Sequence, residues 1–380
     1  MEKENLNRRD FLNTSVGAAV AATTVAGAET GANPVPEAPG SSKEKSQMLQ
    51  YNVSAVQVSN RNPQDRSEMK ENTSRMLELA EQAVIGSKPF LPVKFIVFPE
   101  WAHAAPVYET ADELRKKLAV EIPNWHTEKM VEKAAELDVY IQMGSMMEID
   151  PKYPGALFNT SCLVGPEGML YKYRKVNTWI PFEVSTSPHD IADYQDEMFP
   201  VAKTRIGNIG AAICYDWLFP EAMRQLTANG AEILARVSAY MDPFGATEPN
   251  SWWTIVNRCR ALENVAYVVA ANQGAELRNY PPFSWPGGSM IVDYDGRITT
   301  QATPGNGEKI VTGPVDLSML RKEREVRLAH IMPAHLRTEA YPVYREEVFP
   351  RNGFPQKTGR TYQMNSEVIK RVKHRIMPWQ

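Results

Sequence analysis

Gly207-Asn208-Ile209-Gly210-Ala211-Ala212-Ile213-Cys214-Tyr215-Asp216, followed at once by Trp217-Leu218-Phe219-Pro220-Glu221, is the stretch on which the reading of this chain turns. An apolar run punctuated by glycine predicts a buried strand. The run stops at a cysteine, and Pro220 suits the first turn of a helix. A cysteine at a strand-to-helix turn has its sulfur pushed out of the sheet, near the backbone N–H groups of the helix start. A thiolate is stabilised there, and a nucleophile is useful there. A small thiol ending a core strand is also a common packing residue, so its partners decide.

Two other segments supply partners. Phe95-Ile96-Val97-Phe98-Pro99-Glu100 reads as an apolar strand ending in a carboxylate. Burying that charge is costly unless it is paired or put to use; the plainer reading is a strand-end acid reaching solvent. Tyr171-Lys172-Tyr173-Arg174-Lys175 is a basic cluster whose plain reading is a solvated strand edge. Together, in the order Glu, Lys, Cys, these segments resemble the nitrilase, or carbon–nitrogen hydrolase, superfamily. Flanking stretches add to the resemblance: Arg260-Ala261-Leu262-Glu263-Asn264, Tyr267-Val268-Val269-Ala270-Ala271-Asn272 and Gly288-Ser289-Met290-Ile291-Val292-Asp293. The resemblance covers about residues 50 to 320.

Arg174-Lys175-Val176-Asn177-Thr178-Trp179-Ile180-Pro181-Phe182-Glu183 is similar to the aliphatic amidase and formamidase branch, and Arg236-Val237-Ser238-Ala239-Tyr240-Met241 is similar to its Arg-Cys-Gln-Gly-Tyr-Met. The Cys-Trp-Glu of nitrilases proper is absent. Two departures stand out: Trp101 where those amidases carry tyrosine, and Tyr215 where they carry an acid. The resemblance implies catalytic residues Glu100, Lys175, Cys214 and Glu183, although Glu183 also reads as a surface acid after a proline turn. Trp101, Trp179, Tyr215 and Tyr240 are expected as aromatic, substrate-binding walls.

The implied reaction is hydrolysis of a small carboxamide to carboxylate and ammonia or an amine, through a cysteine thioester. Hydrolysis of an N-carbamoyl compound, hydrazide or nitrile by the same triad is the alternative enzyme reading. A catalytically silent assembly protein is the alternative outside enzymes. A Cys-His peptidase is weaker, since none of the six histidines (103, 126, 189, 330, 335, 374) sits in a recognisable motif. No metal-spaced His/Cys cluster or Walker-type loop occurs, so no cofactor and no metal are expected.

The chain has 380 residues, 43% hydrophobic and 23% charged, with a formal net charge of −3. That length suits one large or two ordinary domains, and the charge gives no reason to expect nucleic acid. Residues 1–28 resemble a twin-arginine signal peptide, with Asn7-Arg8-Arg9-Asp10-Phe11-Leu12, a mild apolar run to Ala26 and an Ala26-Gly27-Ala28 cleavage site. The run is too short for a permanent membrane span. Export to the periplasm through the twin-arginine machinery is therefore expected. Residues 29–47 read as a disordered spacer, 48–325 as the hydrolase domain and 326–380 as a C-terminal extension. Similar amidases wrap such extensions around a neighbouring subunit, which implies a dimer-based homo-oligomer; a partly ordered tail is the plainer reading. Cys162, in a strand-like run, and Cys259, on a helix stripe with Trp252, Ile255, Val256 and Leu262, read as small core residues.

Along the chain, strands are predicted at Val53–Gln57, Phe95–Phe98, Val139–Met147, Glu232–Val237 and Tyr267–Ala271, and helices at Glu71–Ile85, Thr127–Leu137 and Ser251–Asn264. A hairpin spans Leu157–Lys175, and another turns at Asp295-Gly296. Such alternation implies an α/β fold with helices packed on sheets. The resemblance sharpens it to a four-layer α-β-β-α sandwich of two facing sheets.

Overall fold

The computed structural model describes residues 48–59, 61–180, 183–241, 251–274, 285–303, 307–345, 347–349 and 362–376. The signal-peptide and spacer readings lie outside the described residues. The first half of the chain runs β1 (Gln50–Gln57), α1 (Met69–Gly86), β2 (Val93–Val97), α2 (Ala111–Lys117), α3 (Trp125–Leu137), β3 (Tyr140–Gln142), β4 (Met146–Glu148), β5 (Phe158–Gly165) and β6 (Gly168–Arg174). The second half runs β7 (Val201–Thr204), β8 (Gly207–Ile213), α4 (Pro220–Ala228), β9 (Ile233–Ser238), α5 (Trp252–Asn264), β10 (Tyr267–Asn272), β11 (Met290–Val292), β12 (Ile298–Gln301), β13 (Lys309–Asp316) and α6 (Leu317–Val326). Short α7 (Met332–His335) and α8 (Tyr362–Ile376) follow.

Two mixed sheets result, one ordered β13-β1-β2-β3-β5-β4 with β6 paired to β5, the other β12-β11-β10-β9-β8-β7. The period-2 pattern of the strands explains the layering. In β1, Tyr51, Val53 and Ala55 enter the core shared with the second sheet, whereas Val56 turns to the core under the helices. β2 alternates the same way from Phe95 to Val97, with Ile96 facing the helices, and Val93 falls out of phase where the pairing with β1 shifts register. Both faces of each central strand are thus covered, as parallel strands require. Helices α1–α3 close the first sheet through Met76, Leu79, Leu114, Met130 and Ala134. Helices α4–α6 close the second through Met223, Leu226, Ala261 and Leu320. The architecture is the expected four-layer α-β-β-α sandwich.

Three local expectations are corrected, and one strand for which no element was expected is added. The predicted strand Val139–Met147 is two strands, β3 and β4, both paired with β5. Gly144 makes the break: a Cβ there would collide with Ala102 and the Pro99 carbonyl, so the chain yields to the 99–102 loop. Strand β13 carries Gly313-Pro314, which weakens a strand signal in sequence. The pair is tolerated because β13 is the edge strand of its sheet, partnered by β1 alone.

The stripe Trp252, Ile255, Cys259 and Leu262 on α5 is exposed rather than core. The helix instead buries Trp253, Thr254, Asn257, Arg260 and Ala261. Buried polar groups need partners, and this face supplies them. Asn257 accepts from Arg236, and Arg260 donates to the carbonyls of Trp217 and Leu218. Finally, the basic cluster of β6 is no solvated edge. Arg174 is buried, stacked 4.2 Å from the Phe158 ring centre, and it joins Lys172 on the fully buried Glu148.

Candidate active site

The site forms where strand ends meet. Beyond β2 the chain turns through Phe98 and Pro99 to Glu100, which is fully buried. Its Oε1 accepts from Asn159 Nδ2 at 2.8 Å and from Lys175 Nζ at 2.9 Å, and its Oε2 accepts from the Ala239 backbone N–H at 3.0 Å. Gln273 Nε2 donates to the Glu100 carbonyl at 2.8 Å. Both sheets therefore hold this one residue, which fixes the carboxylate and offsets its burial.

Lys175 follows β6, its backbone N–H bonded to the Asn159 carbonyl at 2.9 Å. Its Nζ also reaches Glu183 Oε1 at 2.8 Å. Burial opposes the charge on Lys175, but Glu100, Glu183 and Cys214 outweigh it and hold the ammonium well above the usual lysine range. Burial pushes the Glu183 carboxyl up, against the pull of Lys175. Glu183 Oε2 accepts from the Trp179 N–H at 2.7 Å, tying the carboxylate to the segment that follows Lys175.

Cys214 ends β8 with a φ of 45°, in the left-handed region. A non-glycine residue there stores strain and is held only by its surroundings. A short 3-10 turn, Cys214–Leu218, leads on to α4. The brace is Asp216, fully buried. Its Oδ2 accepts from the Ile213 N–H at 3.0 Å and from Tyr173 OH at 2.7 Å, and its Oδ1 accepts from the Asn177 N–H at 2.7 Å. The turn is thereby tied to the Lys175 loop. Burial and the Glu100 carboxylate push the Cys214 thiol up to about 12, while Lys175, Ser238 and Arg236 draw it down. The sulfur thus rests protonated, beside a carboxylate and a fixed ammonium.

The expected wall residues are placed as follows. Trp101 is buried with a φ of 61°, and its ring meets Trp285 edge-on at 6.4 Å. Tyr215 is half-buried, packs edge-on against Phe219 at 5.3 Å, and feels the Lys175 charge. Trp179 joins the site through its backbone bond to Glu183. The Tyr240 ring turns towards Trp253, 5.8 Å away. Pro181 and Phe182 lie outside the described residues, and so do 242–250 and 275–284, which flank Met241 and Trp285. Asp216, Asn159, Trp285 and the Ala239 N–H were given no role in the sequence reading. Of these only Asp216 left a signal there, an acid three residues past a strand end, where it can cap the following turn. Among the described residues no three His, Cys, Asp or Glu side chains are grouped as metal ligands, and no helix is long and apolar enough to cross a membrane.

Comparison with known proteins identifies the family and the fold. A family model described as carbon-nitrogen hydrolase matches residues 52–325. A formamidase of Bacillus thuringiensis (strain Al Hakam) is 27% identical over 271 residues, 70% of this chain and 72% of that protein. A formamidase of Bacillus cereus (strain Q1) is 30% identical over 226 residues, 59% of this chain and 62% of that protein's length. Among solved structures, Saccharomyces cerevisiae Nit3, a member of branch 10 of the nitrilase superfamily, superposes with a TM-score of 0.60 at 26% identity, covering 76% of this chain and 98% of that one. A carbon-nitrogen hydrolase from Helicobacter pylori G27 gives a TM-score of 0.63 at 19% identity, over 79% and 99% of the two chains; at that identity the likeness concerns the fold alone.

Proposed function

The chain belongs to the carbon–nitrogen hydrolase family, and on that premise we propose that it hydrolyses a small carboxamide to carboxylate and ammonia or an amine, with Cys214 as nucleophile. The observation that carries this reading is Lys175 Nζ held 2.9 Å from Glu100 and 2.8 Å from Glu183, within the electrostatic reach of a strained cysteine at a strand end. The formamidases among its relatives support an amide as substrate.

Glu100 takes the proton of the Cys214 thiol as the sulfur attacks the amide carbon, so an S–C bond forms and the carbonyl pair moves to oxygen. The Lys175 ammonium and the Tyr215 backbone N–H stabilise that oxyanion. On its collapse the C–N bond breaks, and the leaving nitrogen takes the proton from Glu100. Water then attacks the thioester, again giving its proton to Glu100. Expulsion of the thiolate yields the carboxylic acid, the proton held by Glu100 returns to sulfur, and the acid gives its own proton to solvent as it leaves as carboxylate. Glu183 orients Lys175 and the substrate nitrogen. Trp101, in place of the tyrosine of similar amidases, removes a hydroxyl and adds apolar wall, which favours hydrophobic acyl groups by about 1–3 kcal/mol per methylene.

Two further readings complete the proposal. The exposed apolar face of α5, with Trp252, Ile255 and Leu262, supports a homo-oligomer, whose mass static light scattering reads directly. Export through the twin-arginine pathway rests on Arg8 and Arg9; the double substitution to lysine should strand the protein in the cytoplasm. The assignment itself is tested by ammonia release across short aliphatic, aromatic and carbamoyl amides, hydrazides and nitriles. Turnover of carboxamides that vanishes in Cys214→Ala is expected. Turnover confined to nitriles, or an unchanged rate in Cys214→Ala, overturns it.

A further inference from the structure

Arg236 lies within β9, fully buried, and no carboxylate among the described residues stands within ion-pairing distance of it. A cation is not buried alone without compensation, and here aromatic faces supply it. The guanidinium carbon is 4.3 Å from the Trp253 ring centre and 5.4 Å from those of Trp217 and Tyr240. Nη1 donates to Asn257 Oδ1 at 2.7 Å, while Nε and Nη2 make no hydrogen bond to the described residues. Arginine suits such a cage because it stacks, and although burial brings Arg236 down to about 10 it stays charged at neutral pH.

The strand register puts this cation behind the nucleophile. β9 runs parallel to β8 with Arg236 opposite Ala212 and Val237 opposite Ile213, just before Cys214. Trp217, one wall of the cage, belongs to the Cys214–Leu218 turn itself. The charged groups around the pair are few. Glu100 and Lys175 face Cys214 from the ends of β2 and β6. Tyr240, just past β9, and Arg260, on α5, face Arg236, as do Cys214 and Glu100. Asp216 in the turn is engaged by Ile213, Tyr173 and Asn177, and Glu183 by Lys175 and Trp179. A fixed charge in such a water-poor layer acts over several ångströms.

We propose that Arg236 is a positioning residue for amide hydrolysis: its caged guanidinium, set behind the Cys214 turn and out of reach of substrate, supplies a second fixed positive charge that favours the sulfur anion and the tetrahedral oxyanion. Consistent with this, Arg236 and Lys175 both draw the Cys214 thiol down against burial and Glu100. The inference rests on the reading of Cys214 as nucleophile.

The test is the pH dependence of Cys214 alkylation by iodoacetamide, read by mass spectrometry beside kcat and KM. A Cys259→Ser background removes the exposed thiol. In Arg236→Met alkylation should be roughly tenfold slower at each pH between about 7 and 9, where the thiol is mostly neutral and the rate follows its ionised fraction. kcat should fall with KM nearly unchanged, and Arg236→Lys should restore most of the loss. A folded Arg236→Met with the parent alkylation profile and kcat overturns the proposal. If the methionine variant does not fold, Arg236→Lys and Arg236→Gln are compared instead: slower alkylation between about pH 7 and 9 in the glutamine variant supports the charge, and equal rates overturn it. Retained turnover in Cys214→Ala would sink the nucleophile reading, whereas an inert Cys214→Ala beside a parent-like Arg236→Met sinks this inference alone.

Discussion

Lys175 is buried between two carboxylates, and removing its ammonium leaves Glu100 and Glu183 facing each other with no counter-ion. Losing one partner of a buried ion pair costs about 3–5 kcal/mol. Lys175→Ala should therefore lower the melting temperature as well as kcat, the latter about a hundredfold or more through lost oxyanion stabilisation. Steady-state ammonia release and thermal melting read both, and a variant within tenfold of parent kcat contradicts the role given to the lysine. Glu100 and Cys214 were legible because each ends a strand whose apolar run is visible in sequence, and Lys175, at the end of a basic cluster, only through the resemblance in motif order. Asp216 was legible only as a cap of its own turn, and Asn159 was not. Their partners lie 43 and 59 residues away: Tyr173 reaches Asp216 from the other sheet, and Asn159 reaches Glu100 within the first sheet. Nor could sequence show that Cys214 adopts a positive φ, which Asp216 and its neighbours impose.

At the scale of elements, α5 carries the clearest lesson. Hydrophobic periodicity selected the face with Trp252, Ile255 and Leu262, yet the buried face is the one bearing Asn257 and Arg260. Polar demand from Arg236 and from the turn after Cys214 outweighed hydrophobicity there, and no single-helix pattern contains that demand. The C-terminal helix α8 had no signal in a tail read as wrapping or partly ordered. It packs Asn365 and Val368 into the molecule, and Asn365 Nδ2 donates to the Glu183 carbonyl at 3.0 Å. That bond ties the helix to the loop that presents Glu183 to Lys175. Deleting it leaves a buried carbonyl short of a donor, at about 1–3 kcal/mol. Asn365→Ala should lower kcat/KM several-fold and expose α8 to limited proteolysis, with Asn365→Gln intermediate. Parent kinetics and parent proteolysis in Asn365→Ala contradict the coupling.

Over the whole molecule, alternation of strands and helices implied helices packed on sheets, and the family resemblance supplied the four layers and the grouping of Glu100, Lys175 and Cys214. Acid stability is a property of the assembled fold. His103 and His126 are buried around Thr73 Oγ1, 2.9 and 2.8 Å from their Nδ1 atoms. Burial holds His103 well below its usual value, with His126 adding to the effect, and brings His126 down to about 4, with Lys70 adding to it. A histidine lowered on folding contributes stability that is fully present above about pH 6.5 and lost as pH falls towards its folded value. For His126 that is about 2 kcal/mol between pH 7.5 and 5. The raised carboxyls of Glu183 and Asp216 act in the opposite sense, so the difference between parent and variant is the quantity to measure. His126→Gln should lose less melting temperature than the parent between those two pH values. An equal or larger loss contradicts the assignment.

The central claim is that Cys214 carries the acyl group. Acid-quenching the enzyme during turnover of a slow carboxamide, then mapping the mass adduct by tandem mass spectrometry, tests it directly. The account predicts an acyl increment, of the substrate's own acyl mass, on Cys214 alone, absent from Cys214→Ala. Steady ammonia release with Cys214 unmodified and the acyl group on another residue would contradict it.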